Sequence, residues 1–137
     1  MHEHDYDVII VGAGIAGLTA ALYVSRQGLR TLVVGKNLGG QALMAPLVEN
    51  YPGSPSVEGL ALMETVKDQA ESFGAAIIFD EVKGVGAYGN GFTVKTLGGE
   101  YSSVALILAS GKTPRDMQLS DEEKFKGRGI SYCTVCD

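Results

Sequence analysis

Apolar positions along the chain fall into two textures. The first is the uninterrupted β-branched run. Asp7-Val8-Ile9-Ile10-Val11 stops at Gly12, and Thr31-Leu32-Val33-Val34 stops at Gly35. Runs of this length with no polar alternation predict strands buried on both faces. Between them Ile15, Leu18 and Leu22 recur at helical spacing, and Gly28 stands where a helix ends in a left-handed residue. The first 34 residues therefore predict a βαβ unit with a right-handed crossover.

Residues 35 to 55 hold Gly35, Gly39, Gly40, Pro46, Pro52, Gly53 and Pro55 and read as a long loop. Twenty irregular residues inside a compact domain point to function. Ser56 is placed to cap a helix running to about Phe73, with Val57, Leu60, Met63, Val66, Ala70 and Phe73 on one face and Gly74 ending it. Ala75 to Phe79 reads as a third buried strand.

The second texture is mixed and short. Val82 to Tyr88, Phe92 to Leu97 and Glu100 to Ser103 are separated by Gly89-Asn90-Gly91 and Gly98-Gly99. These are hairpin signals, so an antiparallel meander is expected within the α/β chain. Val104 to Ala109 returns to the buried, parallel type and ends at Ser110-Gly111. Ser120 with Glu123 has the spacing of a capping box for a short helix. Gly127-Arg128-Gly129 reads as a turn and Ile130 to Tyr132 as extended, with the cysteine pair after it opening the next helix.

Composition narrows the function classes. Of 137 residues, 19 are glycine, twice the ordinary usage of about 7% and without a collagen period. Net charge is −5 and the eleven basic residues are scattered, which argues against an electrostatic nucleic-acid binder. The longest apolar runs are six residues, far short of the roughly 20 a membrane helix needs. The acidic start lacks the features of a signal peptide, so a cytoplasmic protein is expected.

Gly12-Ala13-Gly14-Ile15-Ala16-Gly17 fits G-x-G-x-x-G between a strand and a helix, the context in which that pattern means a dinucleotide site. Gly12 permits the tight turn, Gly14 lets the backbone reach a pyrophosphate, and Gly17 lets the helix pack on the sheet. No carboxylate follows the second strand, where Val34-Gly35-Lys36 stands, so ribose recognition falls to another group. The loop by itself does not choose between FAD and a nicotinamide nucleotide.

Both cysteines lie at Cys133-x-x-Cys136, followed by Asp137. Such a pair can close a small disulfide ring, and a helix N-terminus would favour its thiolate. Asp137 could move protons during exchange. A zinc half-site and two inert cysteines are the alternatives. Structural zinc takes four ligands, and His2 and His4 lie at the opposite end of the chain; no metal site is expected.

Taken together, Val8 to Gly17, Gly39-Gly40-Gln41, Val48-Glu49-Asn50-Tyr51-Pro52-Gly53, Leu106 to Gly111, Phe125 to Gly129 and Cys133 to Asp137 resemble, collinearly, the N-terminal part of the low-molecular-weight thioredoxin reductases. The resemblance implies an α/β, Rossmann-like FAD-binding domain with a parallel sheet and a β-meander, incomplete at its C-terminus. Residues 1–111 would be the N-terminal segment of a discontinuous FAD domain. Residues 112–137 would be a linker and the start of an NADPH domain.

It implies FAD held by Gly12, Gly14, Ile15, Ala16 and Gly17, with Gly39, Gly40, Gln41, Asn50, Val82, Ala109, Ser110 and Gly111 also at the cofactor. Ser110 stands where the family usually has threonine. Cys136 would face the flavin, Cys133 would attack the partner disulfide, and Asp137 would be the acid–base group. Electrons would pass from NADPH through FAD and the Cys133–Cys136 disulfide to thioredoxin or a thioredoxin-like protein. A homodimer is expected, as is a remaining C-terminal part of the enzyme, without which the 137 residues should not turn over NADPH. A reductase of another partner, such as a peroxiredoxin system, and a non-catalytic nucleotide-binding redox module are the competing readings.

Overall fold

The computed structural model describes residues 4–112, 115–126 and 128–132. Its βαβ unit is β1 (Tyr6–Val11), α1 (Ile15–Arg26) and β2 (Thr31–Gly35). A single 3₁₀ turn (Gly40–Met44) and α2 (Gly59–Ser72) lead to β3 (Ala76–Phe79). The meander is β4 (Val82–Tyr88), β5 (Gly91–Thr96) and β6 (Glu100–Leu108), and α3 (Glu122–Phe125) follows. All six strands form one sheet in the order β3-β2-β1-β6-β5-β4. The pairs β2–β3, β1–β2 and β1–β6 are parallel; β4–β5 and β5–β6 are antiparallel.

The register explains why β1 reads as continuous hydrophobic sequence. Val8 and Ile10 face α1 and α2, where they join Leu18, Ala21, Val33, Met63, Val66 and Ala70. Ile9 points to the other face with Leu32 and Val34, and there the meander lays Val94, Tyr101 and Val82 over them. Each side of the central strands is thus sealed from water, which leaves no polar alternation along Val8–Val11 or Leu32–Val34. Among the described residues no helix is long and apolar enough to cross a membrane.

Four expectations need correction. The helix after the loop is not capped by Ser56: it starts at Gly59 with Glu58 at the cap and no side-chain cap bond. Val48 and Val57 exchange two backbone hydrogen bonds (2.8 and 3.0 Å), which holds residue 57 extended and delays the helix. Phe79 is half exposed and its strand lies at the sheet edge, so the third strand is only partly buried and Ala75 precedes it. Ala75 instead donates its N–H to Ala70 while Gly74 donates to Glu71, closing α2 in a Schellman motif.

The segments 100–103 and 104–109 are one strand, not two. Ser103 pairs with Phe92 on one side and Tyr6 on the other, so a single strand passes from the meander ladder into the parallel one. Its outer positions Val104 and Leu108 are exposed rather than buried. Ser120 and Glu123 form no capping box. The residue before α3 is Asp121, in a left-handed conformation with no cap bond.

The residue leading into β1 is tied to the neighbouring strand β6 by polar contacts. The Asp5 carboxylate accepts the Ser102 N–H and hydroxyl, both at 2.8 Å. The backbone N–H first and the hydroxyl second hold its carboxyl below the usual value of 3.8. A depressed folded value means stabilisation that is full above 3.8 and lost as pH falls through the folded value. In urea unfolding, wild type is expected to exceed Asp5→Asn by less than about 1 kcal/mol near pH 6. That gap should shrink once the pH is taken below 3.8; a gap that grows there contradicts the assignment.

Candidate functional site

The C-terminal ends of β1, β2 and β6 converge on one cleft of about 440 Å³. This is where ligands bind in open α/β sheets, beyond the carboxyl ends of the strands. Its wall begins at the glycine loop. Gly12 has φ +116°, and a Cβ there would lie 2.1 Å from the Ala109 carbonyl oxygen. A Cβ on Gly17 would lie 1.8 Å from the Gly12 carbonyl oxygen. Both positions are closed by backbone, so only glycine lets β1, α1 and the end of β6 approach this far. Gly14 differs: a Cβ there would meet nothing nearer than the Gly39 oxygen at 3.9 Å. Its missing side chain is needed by the space in front of it, not by the fold.

Helix α1 opens onto this space without a cap. Gly14 is its N-cap, no side chain bonds the first turn, and that turn holds no acidic residue. The leading N–H groups are thereby left for an outside acceptor, and the helix dipole adds positive potential there. Lys36 and Lys112 lie on the rim and, among the described residues, no carboxylate lines the cleft, although the chain as a whole is acidic. Lys36 is 3.9 Å from Glu81 yet 76% exposed. The Glu81 carboxyl is held below its usual range by the Lys83 hydrogen bond, then by the Lys83 and Lys36 charges.

Backbone and side-chain bonds fix the opposite wall. Gly39 donates to the Ala13 carbonyl (2.8 Å), and Ala109 donates to that of Val11 (2.8 Å). Gln41 Nε2 donates to the Lys112 carbonyl at 3.3 Å, joining residues 71 apart across the cleft. An uncapped helix end, an open approach at Gly14 and two rim lysines fit an extended anionic dinucleotide.

The cleft gathers Gly12, Gly14, Ile15, Ala16, Gly39, Gly40, Gln41, Ala109, Ser110 and Gly111. Gly17 lies behind them in the helix–sheet contact. Two further expected positions are also not among the lining residues. Val82 is packed against the Ile9–Leu32–Val34 cluster. Asn50 lies with residues 49–55 around a separate hollow of about 400 Å³. Cys133, Cys136 and Asp137 lie outside the described residues. Lys36, Asn37, Met44 and Lys112 line the cleft without having been expected there. The signal available for Lys36 and Asn37 was positional, since they occupy the end of the second strand where a ribose-binding carboxylate would stand.

The model of the pyridine nucleotide-disulphide oxidoreductase family matches residues 6–137. The chain belongs to that family. Within it, the thioredoxin reductase of Treponema pallidum is 48% identical over 137 residues, which is 98% of this chain and 45% of that protein. The thioredoxin reductase of Bacillus subtilis is 41% identical over 136 residues, 98% of this chain and 43% of the relative. The crystal structure of the Lactococcus lactis thioredoxin reductase superposes with a TM-score of 0.83 at 34% identity, over 97% of this chain and 44% of that one. The chain therefore spans less than half the length of the family members it matches.

Proposed function

We propose that this family member is the nucleotide-holding and redox-motif-bearing part of an NADPH-dependent thioredoxin-disulfide reductase. The observation that carries the reading is the uncapped, glycine-lined N-terminus of α1 above a cleft that has lysines on its rim and, among the described residues, no carboxylate. FAD is the nucleotide assigned to it. The chemistry FAD supplies when bound is two-electron transfer between a nicotinamide and a disulfide.

The chain's own residues divide the work. Backbone N–H groups of Ile15, Ala16 and Gly17 bind the pyrophosphate, and Gly14 leaves it room. Gly39, Gly40 and Gln41 hold the sugar side, and Ala109, Ser110 and Gly111 the opposite wall. Asn50 and Val82 are assigned to the cofactor on resemblance. Cys133 as thiolate attacks a sulfur of the partner disulfide, forming a mixed disulfide and releasing one partner thiolate. Cys136 then attacks Cys133, releases the second partner thiolate and closes the Cys133–Cys136 disulfide, while Asp137 moves the proton. The partner has gained two electrons and two protons, and the pair is oxidised.

The same reading assigns residues 1–111 to a discontinuous FAD domain and 112–137 to a linker and the start of an NADPH domain. It places the enzyme in the cytoplasm as a homodimer acting on thioredoxin or a thioredoxin-like protein.

The deciding experiment is Cys136→Ser in the complete enzyme. Reduction of thioredoxin by NADPH is expected to fall to background, while flavin absorbance per mole of protein stays at the wild-type value. Loss of flavin in that variant would show the cysteines to be structural. Activity retained would show that the reducing path bypasses them.

A further inference from the structure

Two residues on opposite walls of the cleft are joined directly. Gln41 Nε2 donates to the Lys112 carbonyl at 3.3 Å, and both residues line the cleft. The sheet order fixes what this bond crosses. β1 lies between β2 and β6; Gln41 follows β2, and Lys112 follows β6. A bond between the two outer segments therefore straddles the glycine loop that follows β1.

The arms that carry the bond differ. The Gln41 arm is anchored. Gly39 donates to the Ala13 carbonyl, and a Cβ on Gly39 would lie 2.7 Å from Leu43 Cγ. Ala42 packs on the start of α2, where a Cβ on Gly59 would lie 2.0 Å from the Ala42 carbonyl oxygen. The other arm is open. Ala109 still donates to Val11, but Ser110, Gly111 and Lys112 are exposed. Gly111 has φ +66°, and a Cβ there would meet nothing within 4 Å. That glycine serves backbone conformation and not a close packing contact. The bond itself is neutral, exposed and at the long end of hydrogen-bond distances, so it breaks readily.

A flavin dinucleotide has a shape that such a bond can hold. Its narrow pyrophosphate joins two wide ends that carry ring systems, and the pyrophosphate belongs at the glycine loop. Neither ring system passes beneath a bridge closed over that loop. We propose that the Gln41–Lys112 bond is a clasp on the nucleotide cleft, which opens for a dinucleotide to enter or leave and closes across its pyrophosphate waist. The inference rests on the reading of this cleft as the FAD site. A clasp has a kinetic signature that a ligand contact lacks. A side chain that bonds the nucleotide itself mainly slows its departure. A bond that must break in both directions slows entry and departure alike.

The test uses the complete enzyme with FAD alone as the probe. Association is followed by flavin fluorescence after FAD is mixed with flavin-stripped enzyme. Dissociation is followed from loaded enzyme while free flavin is scavenged. Gln41→Met keeps the length of the side chain and removes its donor. It is expected to raise both rate constants about fivefold, the effect of one neutral hydrogen bond, with Kd changed by less than about twofold. Gln41→Ala should do the same. Lys112→Met keeps the carbonyl that accepts the bond, so it should not quicken association; a rise in both rates there would assign the effect to the lysine side chain and overturn the proposal. A Gln41→Met enzyme in which dissociation alone is faster also overturns it, and makes Gln41 a direct ligand of the nucleotide. So do two unchanged rates. Gly14→Val run beside these variants separates the two readings. If it takes up FAD at the wild-type rate, the cleft is not the flavin site and the clasp falls with it. If Gly14→Val loses FAD while Gln41→Met binds and releases it at wild-type rates, the site stands and the clasp alone is wrong.

Discussion

Gly17→Ala is expected to unfold the protein or leave it severely destabilised. The added methyl would sit 1.8 Å from the Gly12 carbonyl oxygen and 3.0 Å from its carbonyl carbon. Neither atom can retreat, because Gly12 is itself held to β2 by a 2.7 Å bond from its N–H to the Val34 carbonyl. Relief therefore requires α1 to lift from the sheet, parting Leu18 and Ala21 from Val8, Ile10 and Val33. Overpacking of a fixed core typically costs 1–3 kcal/mol, and an overlap with backbone belongs at or above the top of that range. About 3 kcal/mol is a large part of a domain's whole stability and corresponds to a fall of roughly 10 °C in thermal midpoint. Circular dichroism melting of the purified variant measures it. A midpoint within a degree or two of wild type would mean that the helix does not pack on the sheet this closely.

Gly14→Val, three residues earlier, is expected to do the reverse. Gly14 has extended backbone angles (φ −84°, ψ −177°) open to any residue, and a Cβ there would have only an ordinary contact at 3.9 Å. The thermal midpoint of the unliganded protein should stay within about 2 °C, as for substitutions away from the core. The branched side chain would instead fill the space before the free N–H groups of α1. Losing two charge-assisted hydrogen bonds to a pyrophosphate weakens binding by about 100-fold or more. Flavin absorbance after desalting is the readout. Retention of flavin at wild-type stoichiometry would place the pyrophosphate somewhere other than this loop. The two variants together separate a glycine kept for packing from a glycine kept for a ligand.

Physical reasons govern how far the sequence could be read. β1 and β2 were legible because burial on both faces leaves no polar alternation, and G-x-G-x-x-G was legible because each glycine answers a separate steric demand. The passage through Ser102 and Ser103 looked like a strand boundary because hydroxyls there resemble a turn. Ser103 is in fact fully buried, with its hydroxyl donating to the Ala105 carbonyl at 2.8 Å. The false cap at Ser56 has a similar origin: local capping propensity was overridden by the Val48–Val57 backbone pairing across the loop. In the cleft, Gln41 and Gly111 were expected, whereas Met44 and Lys112 were not. Chain position alone brings these two to the cleft: the Lys112 charge suits an anionic ligand, but nothing local to it in the sequence marked it for the site.

The uninterrupted course of β6 has a consequence for how the protein opens. Ser103 belongs to two ladders at once, so the meander and the nucleotide-binding core share a covalent rung instead of meeting through side chains alone. Melting β5 away from β6 uncovers Val94, and with it the Ile9, Leu32 and Val34 face of the central strands. Detaching β5 from β6 therefore exposes the buried face of the central strands, whereas the edge strand β4, mostly exposed, can open at less cost. The amide protons of β1 and β5 should escape into solvent through the same rare event, as one cooperative unit.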